Sequence, residues 1–334
     1  MHAGPGQRAA ASPLIKVVGV GGAGCNAVTR MVRQDIRGVE FIAMNTDARS
    51  LALTEASTRI QLGKDLCAGL GAGGDPGRGA KAAEQSREEI RGALLGADLV
   101  FITAGIGGGT GTGAAPVVAG IARECRALCV AVVTRPFSFE GRRRHKVADE
   151  SLARLAARAD ALVVIPNDRL VQVADGMATA GDGFKLADDY LCQSITAICD
   201  LVTIPSVINV DLAAVRSVLA DAGPAWLSVG TGAGPDRAAQ AARNAISSRL
   251  LGTAILSTDR ALFTISAGAD LTMLEMAEAA KIVSEALGPE ARTVFGLVLD
   301  SESKGQVKVT LIAAGVSVGP RTNVGGGRAT AGEA

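Results

Sequence analysis

Six glycines crowd into nine residues at the end of an apolar run, and this stretch limits the fold more than any other. Residues 99–104 are rich in β-forming side chains, and glycines follow at 105, 107, 108, 109, 111 and 113. A helical pattern opens at residues 114–116 and runs to about 124, with Pro116 suited to a first turn. Glycine N–H groups and a helix N-terminus bind anions well. The stretch therefore predicts a phosphate site between a buried strand and a helix.

The stretch lacks the lysine of the common phosphate loop, whose pattern is G-x-x-x-x-G-K-[ST]. No Lys or Arg lies between Leu99 and Ile121. The charge of a phosphate must therefore be met by backbone dipoles, by a metal ion and by a cation from elsewhere in the chain. The hydroxyls of Thr110 and Thr112 are candidates for contacting phosphate oxygens or the water shell of a metal.

Composition excludes several classes of protein. Lys and Arg total 34 against 33 Asp and Glu, and aromatic residues make up 3%, so we predict no nucleic-acid partner. No apolar run approaches the roughly 20 residues that span a bilayer, and residues 1–12 lack the apolar core of a signal peptide. We therefore expect a cytoplasmic protein without direct membrane insertion. Six cysteines with no C-x-x-C pair, and two histidines, argue for buried thiols and against a zinc site.

A second glycine loop follows the first predicted strand, residues 15–20. Gly19, Gly21 and Gly24 satisfy G-x-G-x-x-G, and Asp47 follows the second predicted strand. Taken alone, this pattern indicates a dinucleotide site and hence an NAD(P)-dependent oxidoreductase with a Rossmann-type fold. The denser loop after a later strand argues against that alternative, because a dinucleotide fold needs only one such loop.

Alternating strands and helices predict an α/β fold with a doubly wound, mostly parallel sheet. We expect a nucleotide-binding domain over 13–182, a long central helix over 183–203, and a second, α+β domain over 204–316. Residues 1–12 and 317–334 are predicted to be disordered. The predicted strands are 15–20, 41–44, 99–104, 127–133, 161–165, 261–266, and 293–299 paired with 306–312. The predicted helices are 26–33, 79–95, 114–124, 146–158, 183–201, 213–222, 236–247 and 271–286, with a short one after Pro166 and a Gly/Ala-rich crossing around Trp226.

The segment Gly107-Gly-Gly-Thr-Gly-Thr-Gly113 resembles the signature of the tubulin/FtsZ family, and its setting resembles the bacterial FtsZ branch. The resemblance covers about residues 14–316. It implies a GTPase of cell division that binds GTP with Mg²⁺ and assembles head to tail into a homopolymer. It also implies that the Gly-Leu-Gly-Ala-Gly segment, residues 69–73, lies over the phosphates. The implied GTP-binding residues are Gly21, Gly22, Ala23, Gly24, Cys25, Asn26, Gly107, Gly108, Gly109, Thr110, Gly111, Thr112, Gly113, Thr134, Glu140, Arg144, Phe184 and Asp188.

The resemblance also assigns roles to four side chains. Glu140 binds the ribose hydroxyls and Arg144 approaches the nucleotide, which supplies the cation that the glycine loop lacks. Phe184 stacks on the base, and Asp188 accepts hydrogen bonds from it. A carboxylate pairs with the N1–H and N2–H edge of guanine but not with adenine, which favours GTP over ATP. The alternative for Asp188 is a simple N-terminal helix charge, and residues 142 and 143 are interpreted as a solvated basic turn.

A departure from the family pattern concerns hydrolysis. The family loop Asn-x-Asp-x-x-Asp matches Asn209 and Asp211, the implied catalytic residues, but Ala214 holds the third position. In a filament of the family this loop docks on the next subunit's nucleotide. General bases contribute about 10²–10⁴ in rate, so we expect GTP binding with slowed hydrolysis. The alternative is a non-hydrolysing paralogue that modulates filaments of another FtsZ.

The tail is a second departure. The printed sequence ends without the long linker and short peptide that dock membrane-anchor partners in the family. We therefore expect no recruitment by that route, with the division site as the expected place of action.

Overall fold

Six parallel strands form the first half of the main sheet. The computed structural model describes residues 13–36, 38–173, 179–203, 207–208, 210–247, 253–299, 303–315 and 317–320. The strands lie in the order β6-β5-β4-β1-β2-β3. The predicted doubly wound, mostly parallel sheet is confirmed. The strands are β1 (Ile15–Val20), β2 (Val39–Asn45), β3 (Thr58–Gln61), β4 (Leu99–Gly105), β5 (Leu128–Arg135) and β6 (Ala161–Pro166).

Helices cover both faces of these strands, so the central strands are buried on both sides. Val17 and Phe101 face a core that includes Met31, whereas Val18 and Ile102 face a second core that includes Val118. The helices are α1 (Gly21–Arg33), α2 (Ala48–Ala52), α3 (Lys64–Cys67), α4 (Pro76–Gln85), α5 (Arg87–Leu94), α6 (Thr110–Glu124), α7 (Arg142–Ala156) and α8 (Asn167–Val173), with a 3-10 turn at Ser138–Glu140 before α7.

Three helices begin four or five residues earlier than predicted. α1 starts at Gly21 rather than near residue 26, α6 at Thr110 rather than 114, and α7 at Arg142 rather than 146. The glycines of α1 and α6 therefore lie in first helical turns. A glycine-rich turn has a low helix propensity, but it does not prevent a helix that tertiary packing supports. The predicted single helix over 79–95 is two helices separated at Ser86, whose hydroxyl accepts from the Gly63 N–H at 3.1 Å.

Pro116 lies inside α6 and not in its first turn, which corrects the expectation from sequence. A proline cannot donate to the carbonyl four residues earlier, here that of Thr112. The buried Ser151 hydroxyl of α7 donates to that carbonyl at 2.6 Å instead. The helix thus continues through the proline because a neighbouring helix replaces the missing donor.

Four strands of the second half extend the same sheet in the order β10-β9-β11-β7. β7 joins the first half through Ala161 opposite Gly223 and Leu162 opposite Pro224. The predicted pairing of β10 with β11 is wrong, because β9 lies between them. The elements are α9 (Ala180–Thr203), α10 (Leu212–Leu219), β7 (Gly223–Ala233), α11 (Arg237–Ile246), β8 (Thr253–Ser257), β9 (Arg260–Ala267), α12 (Met273–Leu287), β10 (Arg292–Leu299), β11 (Gln306–Ala314) and β12 (Ser317–Pro320).

Two segments of the second half differ from expectation. The Gly/Ala-rich crossing around Trp226 is the strand β7. Its glycines admit α11, because a Cβ at Gly230 or Gly232 would lie 2.1 Å or 2.0 Å from a helix carbonyl oxygen. Ser317–Pro320, where disorder was expected, pair with β8. Residues 1–12 and 321–334 lie outside the described residues.

α9 runs along the sheet from one end of the parallel strands to the other. Phe184 and Asp188 lie near its start, and its last residue, Thr203, lies next to Gly38, which precedes β2. The 24 residues span about 36 Å. α9 therefore connects the carboxyl ends of the parallel strands with their amino ends. No helix within the described ranges has the length and apolar character to span a bilayer.

Candidate functional site

A cavity of about 310 Å³ opens at the carboxyl ends of β1, β4, β5 and β6, where α1, α6 and α9 meet. Its position is typical of ligand sites in parallel α/β sheets. The structure brings together twelve of the predicted residues there: Gly22, Ala23, Gly107, Gly108, Gly109, Thr110, Gly111, Thr134, Glu140, Arg144, Phe184 and Asp188. Gly105, Ile106, Pro136, Asn167 and Ala187 complete the lining.

Two helix N-termini without side-chain caps face this cavity. The N-cap residues are Val20 for α1 and Gly109 for α6, and neither has a side chain that could accept from the first-turn N–H groups. Neither helix has an acidic residue in its first turn. The open N–H groups and both helix dipoles therefore favour an anion at this end of the cavity.

The glycines of the two loops serve two purposes. A Cβ at Gly22 or Gly108 would meet no atom within 4 Å, so these positions leave cavity space for a ligand. A Cβ at Gly24 would lie 2.3 Å from the Thr103 carbonyl oxygen, and one at Gly113 would lie 2.0 Å from that of Pro76. Gly24 and Gly113 therefore permit close packing of α1 on β4 and of α6 on α4.

Gly24 and Gly113 are two of the six predicted residues that the structure places outside the cavity lining. Thr112 is buried, and its hydroxyl accepts from the Gly107 N–H at 2.8 Å, which braces the glycine loop. The Cys25 thiol is buried behind the loop, 3.7 Å from the Met44 carbonyl, and burial raises its pKa to about 12. The remaining two are Gly21 and Asn26.

The Gly-Leu-Gly-Ala-Gly segment approaches the glycine loop of β4. A Cβ at Gly109 would lie 2.9 Å from the Ala72 Cβ and 3.0 Å from the Asp75 nitrogen. Leu70 is exposed at the tip of the segment. The segment thus packs beside the proposed phosphate end of the cavity.

Glu140 and Arg144 form an ion pair at the cavity wall. The second oxygen of Glu140 accepts from the Phe137 N–H at 2.9 Å, which fixes the carboxylate in place. Among the described residues that line the cavity, Arg144 is the one Lys or Arg. This pair offers an acceptor and a cation at one location, as a ribose diol and a phosphate require.

An aromatic group lies at the far end of the cavity. Phe184 is 46% exposed, and its ring meets Phe137 edge to face with centroids 5.1 Å apart. Phe137 in turn stacks on Phe139 at 4.9 Å. These contacts hold Phe184 in place while one side of its ring stays accessible to a planar base.

Asp188 and Asn167 contribute further polar atoms to the cavity lining. Burial raises the pKa of Asp188 to about 6, and the nearby Arg30 guanidinium opposes that rise. Asn167 is buried, and its Oδ1 atom has no hydrogen-bond partner within the described part of the chain. Asn167 is not among the site residues predicted from the sequence, although it directly follows a buried parallel strand, where ligand-binding residues are common.

Asp211, one of the two predicted catalytic residues, does not line this cavity. Asn209 lies outside the described residues, and Asp211 is the N-cap of α10, where its carboxylate accepts from the Ala214 N–H at 2.7 Å. Arg216 of α10 donates to the Asp98 carbonyl before β4, so α10 lies at the amino ends of the strands. A six-residue strand such as β1 spans about 20 Å, so the cavity and α10 of one chain are separated by about the length of a strand.

Two family models match the chain. Residues 14–175 match the GTPase domain of the tubulin/FtsZ family, and residues 223–317 match the C-terminal domain of the FtsZ family. Together the two models cover most of the described chain, including every strand except β12.

Solved structures agree with the family models. The chain is 42% identical to a chain of an empty FtsZ dimer from M. jannaschii, covering 91% of this chain and 88% of that one with a TM-score of 0.86. It is 43% identical to a single-residue mutant of M. jannaschii FtsZ, with 90% and 91% covered and the same TM-score. A GTPγS-bound protofilament structure of CetZ2 from Haloferax volcanii shares the fold at 22% identity and a TM-score of 0.78, with 91% and 93% covered.

Proposed function

The chain belongs to the tubulin/FtsZ family, whose members are GTPases, and on that premise we propose that it binds GTP in this cavity and assembles head to tail. The observation that carries the proposal is the arrangement of the cavity. Two uncapped helix N-termini lie at one end, and an accessible phenyl ring with a carboxylate lies at the other. The family assignment does not favour the oxidoreductase alternative.

In this proposal each part of the nucleotide has a matching group. The phosphates lie against the N–H groups of residues 108–111 and of Gly22 and Ala23. Glu140 accepts from the ribose hydroxyls, and Arg144 supplies a cation. Phe184 stacks on guanine, Asp188 accepts from N1–H and N2–H, and the Asn167 amide pairs with O6. Gly21, Gly24, Cys25, Asn26, Thr112 and Gly113 would support these groups from behind.

Mg²⁺ suits this cavity as a companion of the triphosphate. The carboxylates of the lining are Glu140 and Asp188, at the sugar and base end, so a metal at the phosphate end would meet phosphate oxygens, water and the Thr110 hydroxyl. Mg²⁺ typically keeps several waters and binds substrate phosphates. The ion would neutralise charge that develops on the γ-phosphate.

We infer head-to-tail assembly from the positions of the cavity and of the loop around Asp211. Asp211 is on the opposite edge of the sheet from the cavity, so it cannot reach a nucleotide in its own chain. A second copy stacked in the same orientation would bring its Asp211 and Asn209 to that nucleotide. Assembly would then bury GTP between subunits, which links nucleotide binding to polymer stability.

We propose that hydrolysis in such a filament is slow. A water that attacks the γ-phosphate needs a group that orients it and accepts its proton. Asp211 and Asn209 can serve, but the Ala214 methyl group can neither accept a proton nor hold an ion's water. The biological role would then be cell division, either as a slow GTPase or as a paralogue that modulates filaments of a faster FtsZ.

Titration of the purified chain with GTP, GDP, ATP and NADH tests the binding proposal. We expect GTP and GDP to bind and NADH not to bind. Sedimentation with GTP and Mg²⁺, with released phosphate measured on the same sample, tests assembly and turnover together. A chain that ignores GTP, or stays monomeric when saturated with it, would contradict the proposal.

An Ala214→Asp substitution tests the slow step. We expect phosphate release to rise at least about tenfold, because a water-positioning carboxylate is restored. Ala213→Asp is the matched control, since it adds the same charge one residue earlier at an exposed position of α10. Equal rates in the wild type and both variants would show that Ala214 does not limit turnover.

A further inference from the structure

Arg30 of α1 contacts two consecutive carboxylates of α9. Its Nη1 atom lies 2.6 Å from Asp189 Oδ1, and its Nε atom lies 3.7 Å from Asp188 Oδ2. Asp188 lines the cavity and its side chain is 14% exposed, whereas Arg30 does not line the cavity. The guanidinium therefore touches the proposed base-binding carboxylate from outside the ligand space.

Few other charges face Asp188. On α9, Asp189 is adjacent, and Lys185 is nearly one turn earlier and exposed. Across the cavity, Glu140 and Arg144 neutralise each other, and α8 lines the cavity with the neutral Asn167. Of the charged residues of α8, Asp168 hydrogen-bonds to Ser138, and Arg169 does not line the cavity. Among the described residues, Arg30 is the cation within 4 Å of Asp188, and it shares its charge with Asp189.

The protonation state of Asp188 determines which purine it can pair with. A carboxylate accepts from both N1–H and N2–H of guanine and has no donor for adenine. A protonated carboxyl donates its O–H to adenine N1 and accepts from adenine N6–H. The same side chain thus selects guanine when ionised and admits adenine when protonated.

We propose that Arg30 is a positioning residue that determines base specificity, because its charge keeps Asp188 in the ionised form and so makes the cavity select guanine over adenine. Asp189 limits this effect, because it draws the guanidinium toward itself. The inference rests on the proposed GTP site.

Asp188 changes between its protonated and ionised forms at a pH not far below neutral. Burial raises the pKa of Asp188, Arg30 lowers it and Asp189 raises it, and together they bring it to about 6. Loss of Arg30 would therefore move the titration of Asp188 toward the pH at which the protein is assayed. Loss of the Asp189 charge would move it in the opposite direction.

The test measures dissociation constants for GTP and ATP from pH 5.5 to 8.5 in the wild type, Arg30→Met, Arg30→Lys and Asp189→Asn. The ratio of the two constants is the readout, because both triphosphates titrate alike. We expect the midpoint of the ratio to rise by about one pH unit in Arg30→Met and to fall in Asp189→Asn. At pH 6.5 the preference of Arg30→Met for GTP should fall about tenfold and recover by pH 8.5.

Arg30→Lys, which keeps the cation, should stay near the wild-type midpoint. If Arg30→Met does not fold, as its thermal unfolding would show, the downward shift in Asp189→Asn decides the question alone. Midpoints that do not move, or that move in the same direction in Arg30→Met and Asp189→Asn, would overturn the role of Arg30 and leave the GTP site standing. A wild type that binds GTP at no pH would instead overturn the proposed function.

Discussion

Some glycines of the two glycine loops leave space for a ligand, and others permit close packing of helices. Gly108 belongs to the first group. Its φ is not positive, and a Cβ there would meet no protein atom within 4 Å. An alanine at this position therefore costs the fold little. The added methyl group would occupy the space in which the proposed phosphate approaches the backbone.

We expect Gly108→Ala to unfold within about 2 °C of the wild type and to lose at least about tenfold in GTP affinity, measured by calorimetry and by nucleotide titration. Gly92→Ala is the matched control, because Gly92 is exposed within α5 and also meets no neighbour. It should bind GTP normally and gain up to about 1 kcal/mol in stability. Normal GTP binding by Gly108→Ala would remove the glycine loop from the nucleotide site.

At the scale of elements, α6 and α7 depend on each other through one buried hydrogen bond. Ser151 of α7 satisfies the Thr112 carbonyl that Pro116 leaves without its helical donor. An unsatisfied buried carbonyl costs about 1–3 kcal/mol. The serine thus compensates for the proline.

A double-mutant cycle tests this dependence. Ser151→Ala should lower the free energy of unfolding by about 1–2 kcal/mol. In a Pro116→Ala background the cost should shrink by at least about 0.5 kcal/mol, because the new N–H at residue 116 can bond the Thr112 carbonyl. Denaturant unfolding of the four proteins gives the coupling. Equal costs in both backgrounds would mean that the two positions act independently.

α11 and α12 are joined by a charge cluster around Arg237. The buried guanidinium donates to Asp270 at 2.6 Å and to Glu275 at 2.7 Å. Arg237, with the Thr272 N–H and hydroxyl, lowers the pKa of Glu275 to about 2. Because this pKa lies below the usual carboxylate value, the cluster stabilises the fold above about pH 4.5, and the contribution is lost as pH falls toward 2.

Glu275→Gln should therefore cost about 1 kcal/mol at pH 7, a figure reduced for partial solvent exposure. The difference from the wild type should shrink steadily as pH falls from about 4.5 toward 2. Glu278→Gln, at an exposed position on the same helix, should cost nothing measurable at either pH. Denaturant unfolding across pH gives both comparisons, and a constant difference between Glu275→Gln and the wild type would exclude the charge cluster as the cause.

A comparison of predicted and observed helices and strands shows which of them the sequence alone could predict. β1 was predicted to the residue, and β4 and β5 to within one or two, because continuous apolar runs between turn residues identify buried parallel strands. β7 was not predicted, because Gly230 and Gly232 lower the strand propensity of this segment. Both glycines are needed for the close packing of β7 against α11. The early starts of α1 and α6 were missed for the same reason, because close packing and not propensity places glycines inside helices.

The site was predictable to a different degree. Glycine spacing and family resemblance identified twelve residues of the cavity lining, since local motifs encode them. Asn167 and Arg30 could not be identified from spacing, because their relation to Asp188 depends on which helices and strands become neighbours.

In the molecule as a whole, the cavity lies at the carboxyl ends of the parallel strands, and the loop near Asp211 lies at their amino ends. In the proposed filament, a subunit would therefore contribute its cavity to one neighbour and its loop to the other. In the proposed filament, a defect at Ala214 slows hydrolysis of the neighbour's nucleotide and leaves the subunit's own cavity competent.

A mixing experiment tests this division. The wild type has an intact cavity and lacks the acid, whereas the double variant Gly108→Ala, Ala214→Asp has the acid and a blocked cavity. We expect an equal mixture to release phosphate several times faster than either protein alone, because the restored loop meets the intact cavity. A mixture with Gly108→Ala alone is the control and should show no gain. Rates that only average would contradict hydrolysis across the subunit contact.

The course of α9, from the carboxyl edge of the sheet to the amino edge, has a consequence for any linear array that repeats this contact. Every member would point the same way, so the array would have a direction. One terminus would display an open nucleotide cavity, and the other would display an unengaged loop. The two termini would differ in chemistry, and a nucleotide in solution could reach an empty cavity at only one of them.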